Sequence, residues 1–285
     1  MSNILVTGAN GFIGSHLSKK LKELSHNVTE LTSNSGDISD KDTLSKLTQV
    51  DVVIHLAARS FVPDSWEEPS SFMSTNVTGT HNVLEYCRKF STPLIFVSAY
   101  LYGVPERLPV KESDPVLANN PYALSKHLAE QLCEFYASYW ALPITVIRPF
   151  NVYGPAQRSE FLIPEIIAQV KSGNEVRVRD LNPKRDYVYI DDLIDALIKS
   201  LDISEGYNVI NIGSGISYSV GELIDIIQKV SGTKLPVYSK QVERKHEITD
   251  VYADINQAKD LLDWIPCYSL EDGITKQLQV ERNSE

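Results

Sequence analysis

The amino-acid sequence predicts an α/β protein in which helices cover both faces of a parallel, doubly wound sheet. Three observations support this fold class. The first segment, ILVTGANGFIG at residues 4–14, has the pattern of an apolar strand, a glycine turn and a helix start. Short apolar segments then alternate with longer amphipathic ones as far as residue 148. Beyond that residue the alternation changes, which indicates a smaller, mixed α/β C-terminal lobe.

The glycines of the first turn, Gly8, Gly11 and Gly14, have a G-x-x-G-x-x-G spacing. At a strand–helix junction one glycine permits a tight turn, one lets the backbone approach a diphosphate, and one lets the helix pack closely on the strand. The following helix, expected over residues 12–24, directs free N–H groups at the phosphates. A turn that binds nothing is the alternative, but the flanking strand and helix favour a Rossmann-type dinucleotide site.

The remaining elements follow from apolar periodicity and capping residues. Further strands are expected at residues 27–32, 51–57, 94–98 and 144–148. Further helices are expected at residues 37–47, 69–89 and 122–140. After residue 148 we expect a helix and a valine-rich strand within 155–186, strands returning to the main sheet at 187–190 and 207–211, and a helix at 191–201.

This order predicts two lobes between which the chain crosses more than once. Residues 1–155 plus about 187–212 form the dinucleotide-binding domain. Residues from about 156 to 186 plus 213–285 form the substrate lobe. The active site is expected outside the carboxyl ends of the strands, in the cleft between the lobes.

Composition excludes several classes of function. The 285-residue chain has a net charge of −10, whereas binding to a nucleic-acid backbone requires a broad basic surface. No apolar run approaches the roughly 20 residues that span a bilayer, and the early first strand leaves no room for a signal peptide. We therefore expect a cytoplasmic protein without a nucleic-acid or membrane partner. The three cysteines, Cys87, Cys133 and Cys267, are expected to be buried free thiols, with neither disulfides nor a metal site.

A second motif contains the candidate catalytic residues. Tyr122 and Lys126 lie four residues apart, so on a helix they share one face and the ammonium can lower the pKa of the phenol. Such a phenol is suited to general acid–base catalysis. Ser98 ends an apolar strand at the ligand edge of the sheet, where its hydroxyl can bind a substrate oxygen. The alternative is a pair of unrelated surface residues.

Taken together, the motifs resemble the extended short-chain dehydrogenase/reductase family, which comprises nucleotide-sugar epimerases, dehydratases and reductases. They occur in the family's order and cover almost the whole chain. The matching segments are TGANGFIG (7–14), DISD (37–40), HLAA (55–58), NVTGT (76–80), SAYLYG (98–103), YALSK (122–126), RPFNVYG (148–154) and RDYVYIDD (185–192).

The resemblance implies a nicotinamide cofactor, NADP(H) or NAD(H), and a nucleotide-diphosphate sugar as substrate. Tyr122 would exchange a proton with the sugar, Lys126 would also hold the nicotinamide ribose, and Ser98 would orient the sugar oxygen. The implied cofactor-binding residues are Gly8, Asn10, Gly11, Phe12, Ile13, Gly14, Ser33, Asn34, Asp37, Ile38, Leu56, Ala57, Ala58, Asn76, Tyr122, Lys126 and Pro149. The implied substrate-binding residues are Ser98, Ala99, Tyr100, Asn151, Arg185 and Arg244, although solvated surface charges remain the alternative for the two arginines.

Departures from the family pattern indicate the reaction. Dehydratases of this kind have an acidic pair after the catalytic hydroxyl, where this chain has Ala99 and Tyr100, so dehydration is not expected. The acid that binds the adenosine ribose after the second strand is replaced by Thr32-Ser33-Asn34, which favours NADP(H). The short link from there to Asp37 resembles that of reductases acting on nucleotide-linked 4-keto-6-deoxy sugars.

The sequence therefore favours an NAD(P)H-dependent reductase that transfers hydride to C4 of such a sugar. The first alternative is a UDP-glucose 4-epimerase type of enzyme with tightly bound NAD. The second is a regulatory protein that binds the cofactor without catalysis, which the presence of Ser98, Tyr122 and Lys126 together argues against. The resemblance also implies a homodimer formed by the helices at residues 69–89 and 121–140.

Overall fold

Six parallel strands form the main sheet of the computed structural model, which describes residues 1–240 and 248–282. The strands, in chain order, are β1 (Asn3–Thr7), β2 (Asn27–Leu31), β3 (Val52–His55), β4 (Leu94–Val97), β5 (Ile144–Pro149), β6 (Asn151–Tyr153), β7 (Val176–Val178), β8 (Lys184–Tyr189), β9 (Tyr207–Ile212), β10 (Ser217–Ser219) and β11 (Val237–Ser239). The main sheet has the order β2-β1-β3-β4-β5-β9, as expected for a doubly wound fold.

Helices connect these strands and cover both faces of the main sheet. They are α1 (Phe12–Glu23), α2 (Asp42–Ser45), α3 (Val62–Glu67), α4 (Pro69–Phe72), α5 (Gly79–Phe90), α6 (Pro121–Trp140), α7 (Leu162–Ser172), α8 (Ile190–Lys199), α9 (Val220–Ser231), α10 (Asn256–Leu262) and α11 (Leu270–Arg282). No helix in the described ranges is long and apolar enough to cross a membrane.

Alternate residues of each strand face opposite sides of the sheet, which gives the protein two cores. Val6 of β1 and Ile54 of β3 pack in the core that continues into the C-terminal lobe. Leu5 and Val53, their neighbours in sequence, pack under α5 and α6. Both faces are therefore buried, which explains why the strands are continuously apolar and recognisable in the sequence.

The order of the sheet reverses between β1 and β3, because the chain leaves β1 toward β2 and then returns to the other side of β1. Thr7 at the end of β1 pairs with His55 at the end of β3. The connections that follow these two strands begin next to each other and then lead in different directions, which opens a crevice at the carboxyl edge. The predicted dinucleotide loop and the segment Leu56–Ala58 therefore lie side by side at this crevice.

Two small sheets, β10-β8-β6 and β11-β7, lie outside the main sheet. The expectation that residues 187–190 return to the main sheet is wrong, since Tyr187–Tyr189 of β8 pair with β6 instead. The apolar pattern identified a buried strand but could not show which sheet contains it. Residues 207–211 do return to the main sheet, where Tyr207 pairs with Ile144. The proposed lobe boundaries remain predictions.

Three local expectations need correction. The helix expected at residues 37–47 is limited to Asp42–Ser45, because Asp37 and Asp40 cap turns through Ser39 and Asp42. The helix expected at 69–89 contains a π-helical stretch, Met73–Thr78. Cys87 and Cys133 are buried free thiols, but Cys267 is exposed on the C-terminal lobe.

The first glycine turn is as tight as the sequence spacing predicts. Gly8 has a φ of +70° and lies against the backbone of Ala57, so a side chain would clash there. A Cβ at Gly14 would lie 2.1 Å from the carbonyl oxygen of Gly8. Helix α1 can therefore approach the strand–loop junction only because Gly14 lacks a side chain.

We predict that Gly14→Ala lowers the free energy of unfolding by about 1–3 kcal/mol, since the added methyl group must displace backbone. It should also weaken dinucleotide binding by moving the loop. Urea denaturation and cofactor titration measure the two effects. Gly221→Ala is the matched control, because its nearest contact would be an ordinary 3.7 Å. An equal, small effect of both variants would contradict this account.

Candidate active site

The carboxyl edge of the sheet brings most of the predicted site residues together. The glycine loop follows β1, Leu56–Ala58 follow β3, Ser98–Tyr100 follow β4, and Pro149 ends β5. Ser33 and Asn34 follow β2, Asp37 and Ile38 precede α2, and Asn151 and Arg185 lie in β6 and β8. Arg244 lies outside the described residues.

Ser98 directly follows the central strand β4 and is 5% exposed. Its amide donates a hydrogen bond to the carbonyl oxygen of Ile147 at 2.8 Å, which fixes its backbone to β5. Its buried Oγ has no hydrogen-bond partner among the residues that the structure describes. A buried hydroxyl without a partner is costly, so this group is available to a ligand.

Lys126 reaches the same strand end from α6. The helix begins at a well-formed cap, in which Asn120 Oδ1 accepts a hydrogen bond from the Ala123 amide and Pro121 takes the first helical position. Lys126 is 3% exposed, and its Nζ donates to the Val97 carbonyl oxygen at 2.6 Å. Burial lowers the pKa of this ammonium to about 8, although the nearby Glu130 carboxylate opposes the shift.

Tyr122 lies one helical turn before Lys126, on the same face of α6. The sequence predicts that the ammonium lowers the pKa of this phenol. This is wrong for the structure, in which burial raises the pKa of Tyr122 because the phenolate loses its hydration. Lys126 directs its ammonium at the Val97 carbonyl oxygen. The phenol therefore keeps its proton at neutral pH.

A buried ion pair connects the same face of α6 to β5. Glu130, one turn beyond Lys126, binds Arg148 of β5 through two hydrogen bonds of 3.0 and 2.6 Å. The Arg148 guanidinium also donates to the Tyr102 hydroxyl at 2.9 Å, and that hydroxyl donates to Asn211 Oδ1 at 2.6 Å. Removing one partner of such a pair costs about 3–5 kcal/mol. Sequence analysis missed Glu130, although its i+4 spacing from Lys126 places it on the same face.

Asn76 is expected to contact the cofactor, and its amide is fully engaged with protein groups. Its Oδ1 accepts from the Arg59 amide at 2.9 Å, and its Nδ2 donates to the Arg59 carbonyl at 3.0 Å and to Ser125 Oγ at 2.8 Å. Ser125 Oγ also donates to the Tyr122 carbonyl at 2.7 Å. The π-helical stretch thus links the loop after β3 to the catalytic helix, and its direct contact with a cofactor stays a prediction.

Thr7 and His55, at the ends of β1 and β3, form a buried hydrogen bond of 2.6 Å. Thr7 Oγ1 also accepts from the amides of Leu56 and Ala57, each at 3.2 Å. Burial, together with the Lys126 charge, lowers the pKa of His55 to about 3, so this imidazole is neutral near pH 7. These bonds fix the Leu56–Ala58 loop against the glycine turn. Thr7 and His55 lie within the motifs at residues 7–14 and 55–58, but their hydrogen bond was not expected from the sequence.

The residues predicted to contact the adenine lie after β2. Asp37 Oδ1 accepts hydrogen bonds from the amide and hydroxyl of Ser39, which lower the pKa of its carboxyl. Ile38 is 6% exposed and packs against Gly79, where a Cβ would come within 2.7 Å of it. Asn10 Nδ2 lies 3.5 Å from Ser33 Oγ, so the glycine loop contacts the segment after β2.

The predicted substrate residues lie toward the C-terminal lobe. The Tyr100 hydroxyl donates to Asn151 Oδ1 at 3.2 Å, and its ring stacks on Phe150 with centroids 5.0 Å apart. Asn151 Nδ2 donates to the Asp186 carbonyl at 2.9 Å. Arg185 donates to the Ile248 carbonyl at 2.6 Å, so part of its hydrogen-bonding capacity is used within the protein.

These residues fit a dinucleotide and a sugar hydroxyl or ketone. Gly8 and Gly14 let the glycine loop pack tightly against Ala57 and α1, which brings the loop backbone and the start of α1 to the crevice. Ser98 offers a hydroxyl without a protein partner in the described ranges, Tyr122 offers a proton, and Lys126 offers a buried cation beside them. Within residues 1–240 and 248–282 no group of three or more His, Cys, Asp or Glu side chains could hold a metal ion.

Comparison with known proteins gives the same family from sequence and from structure. The profile of the NAD dependent epimerase/dehydratase family matches residues 4–213. The chain is 35% identical to a putative UDP-glucose 4-epimerase of Methanocaldococcus jannaschii, covering 99% of each chain. It is 30% identical to the GDP-6-deoxy-D-mannose reductase of Pseudomonas aeruginosa, covering 95% of this chain and 94% of the relative.

The structure superimposes on that of RMD from Pseudomonas aeruginosa complexed with NADPH with a TM-score of 0.91 and 29% identity, covering 100% of both chains. The family match confirms the resemblance predicted from the motifs, the Rossmann-type fold and the requirement for a nicotinamide cofactor. The chain belongs to the NAD-dependent epimerase/dehydratase family, a group of nicotinamide-dependent enzymes of the extended short-chain dehydrogenase/reductase type that act on nucleotide sugars.

Proposed function

We propose that the protein is an NADPH-dependent reductase of a nucleotide-linked 4-keto-6-deoxy sugar. The observation that carries this proposal is the end of β2, where Thr32, Ser33 and Asn34 place no carboxylate beside the adenosine ribose. A carboxylate there would bind the ribose hydroxyls of NAD and repel the 2′-phosphate of NADP. The likeness to RMD complexed with NADPH, a structure of matching length, supports the same assignment.

The proposed roles follow from the site's hydrogen-bonding capacity. A bound reduced nicotinamide supplies the hydride that is added to the carbonyl carbon. Ser98 Oγ binds the carbonyl oxygen and orients it toward the phenol of Tyr122. Tyr122, whose phenol is protonated at neutral pH, donates its proton to that oxygen. Lys126 is assigned to the nicotinamide ribose.

The proposed substrate site extends from Ser98 toward the C-terminal lobe. Tyr100 and Asn151 are joined by a hydrogen bond and face the same region, where we assign them to the sugar and the diphosphate. Arg185 and Arg244 are proposed to supply positive charge to the diphosphate. Arg177 of β7 forms an ion pair with Glu175. The residues at 99 and 100 carry no acid, which argues against dehydration.

A 4-epimerase is the second candidate, and one observation favours it. The relative from Methanocaldococcus jannaschii with 35% identity carries the name of a putative UDP-glucose 4-epimerase. An epimerase uses Tyr122 first as a base and then as an acid, while NAD stays bound. Tyr122 serves both reactions, so the segment after β2, which has no carboxylate for the ribose of NAD, leads us to place reduction ahead of epimerisation.

We also infer a homodimer formed through the outer face of α6. Leu124, Phe135 and Tyr139 are 42%, 48% and 74% exposed. Their spacings of 11 and 4 residues, close to whole helical turns, place them on one side of the helix. The rings of Phe135 and Tyr139 lie in contact, tilted to each other, with their centroids 4.6 Å apart. An apolar, aromatic stripe of this length on a surface helix is typical of a protein interface.

Purified protein should oxidise one NADPH for each 4-keto-6-deoxy sugar nucleotide converted. Tyr122→Phe should leave NADPH affinity nearly unchanged and lower turnover by about 10²–10⁴-fold, because the proton donor is lost. Absorbance at the nicotinamide band measures the stoichiometry and the rate. Tyr139→Phe is the matched control on the same helix. Interconversion of UDP-sugars without net NADPH oxidation would establish the epimerase instead, and unchanged turnover of the variant would remove Tyr122 from the mechanism.

The buried charge of Lys126 predicts a pH-dependent stability. Its pKa is about 8 in the folded protein and near 10.5 when exposed, so between these values the unfolded chain binds the extra proton. The free energy of unfolding of the wild type should therefore rise relative to that of Lys126→Met as the pH increases from 8 to 10.5, at about 1.4 kcal/mol per unit at most. Urea denaturation across this range tests it, with exposed Lys20→Met as the control. A pH-independent difference for Lys126→Met would contradict the buried charge.

Placing a charge on the stripe should separate the subunits. We expect wild-type protein to have twice the mass of one chain in light scattering, and Phe135→Glu to have the mass of a single chain. Ile265→Glu, at a residue that is 59% exposed away from α5 and α6, should leave the mass unchanged. A monomeric wild type, or a dimer that tolerates Phe135→Glu, would rule out this interface.

A further inference from the structure

An open cleft of about 440 Å³ lies beside the end of β2, between that strand and α1. Thr32 and Glu30 form one wall, and Ser15, Lys19 and Lys22 of α1 form the other. None of the site residues inferred from the sequence, apart from Asn10 at the mouth, lines this cleft. It is continuous with the glycine loop but separate from the catalytic set at Ser98.

The position of the cleft relates it to the adenosine ribose. The amides of Gly8 and Ala9 both donate to the Leu31 carbonyl oxygen, at 2.8 and 3.3 Å, so the glycine loop is fixed to the end of β2. Thr32, the next residue, takes the place at which an acid binds the ribose hydroxyls in NAD-dependent Rossmann proteins. The cleft therefore opens where a substituent on the 2′-oxygen would point.

Among the described residues that line the cleft, one cation has no partner within the described part of the chain. Glu30 is neutralised by Lys22, whose Nζ lies 2.6 Å from Glu30 Oε1. Lys19 forms no ion pair or hydrogen bond with any group in residues 1–240 and 248–282. Asn10 and Ser15 add a polar amide and a hydroxyl to the lining, and Ser18 lies in its floor with a buried Oγ that lacks a described partner. Lys19 is exposed at this cleft and is the lining cation that can pair with an anion bound there.

We propose that this cleft binds the 2′-phosphate of NADP(H) and that Lys19 is the residue that selects this cofactor over NAD(H). The proposal rests on the proposed function only in its choice of NADP(H). A phosphomonoester carries a charge of about −1.5 to −2, which Lys19 neutralises in part as a point charge. The lining amide of Asn10 and hydroxyl of Ser15 supply further hydrogen bonds. The ion pair with Lys22 neutralises Glu30, so its carboxylate repels the phosphate less.

This assignment identifies a cation that the sequence could not show. NADP-binding Rossmann proteins place a basic residue close to the end of the second strand, and the segment Thr32-Ser33-Asn34 contains none. In this structure helix α1 supplies the charge from across the cleft. Lys19 lies thirteen residues earlier in the chain than Thr32, and only the packing of α1 on β2 brings the two together.

The test measures binding rather than turnover, with NADPH, NADH, 2′,5′-ADP and 5′-AMP titrated into the full-length protein. Wild type should bind NADPH more tightly than NADH, and 2′,5′-ADP more tightly than 5′-AMP. Lys19→Gln should weaken NADPH and 2′,5′-ADP by about tenfold and change NADH and 5′-AMP by less than twofold. Lys20→Gln, at the adjacent residue that pairs with Glu23 at 3.6 Å, should behave as wild type.

A second variant keeps the result interpretable. Thr32→Asp introduces the missing carboxylate and should reverse the preference toward NADH, whereas a protein whose 2′-phosphate lies elsewhere would not respond. If Lys19→Gln binds NADPH as tightly as wild type and both prefer NADPH, the role of Lys19 is wrong, but the NADP(H) assignment is not affected. A wild type that prefers NADH would overturn both the cleft and the NADP(H) assignment. Tight 2′,5′-ADP binding without reduction of any 4-keto sugar would refute only the proposed reaction.

Discussion

The contact between the Lys126 ammonium and the Val97 carbonyl oxygen joins the catalytic helix to the central strand of the sheet. Because the ammonium is almost fully buried, its hydration must be replaced, and the carbonyl oxygen and the negative charge of Glu130 replace part of it. The same contact places α6 beside Ser98, the residue after Val97. The catalytic arrangement therefore depends on a charge that lowers the stability of the fold while it organises the site.

A buried ion pair lies one helical turn beyond Lys126. Glu130 alone would be a buried carboxylate, and Arg148 alone would be a buried guanidinium, so each requires the other. Arg148 extends the network through Tyr102 to Asn211 of β9. Helix α6 is thus attached by polar groups to three strands, β4, β5 and β9. A helix held only by apolar contacts could shift along the sheet and misplace Tyr122.

The fold was largely predictable from the sequence because the buried strands are continuously apolar and the glycine spacing has one structural explanation. Ser98, Tyr122 and Lys126 are predicted as a catalytic set from a strand end and a helical spacing together with the family resemblance, and the set stays a prediction. Three features could not be predicted. The sheet that contains Tyr187–Tyr189 depends on long-range pairing, the raised pKa of Tyr122 depends on burial, and the approach of Lys19 to Thr32 depends on helix–strand packing. Each is set by tertiary structure rather than by a local pattern.

The different environments of the three cysteines make the protein suitable for single-site labelling without mutagenesis. Cys87 and Cys133 are buried between α5 and α6, where a reagent cannot reach them in the folded state, whereas Cys267 is exposed. The amide of Cys267 donates to Asp192 Oδ1 at 2.8 Å, so the backbone at this position is fixed to α8. A maleimide dye attached there would sit on a rigid part of the C-terminal lobe. Its emission would report movements of that lobe relative to the nicotinamide, which is itself a fluorescent partner when reduced.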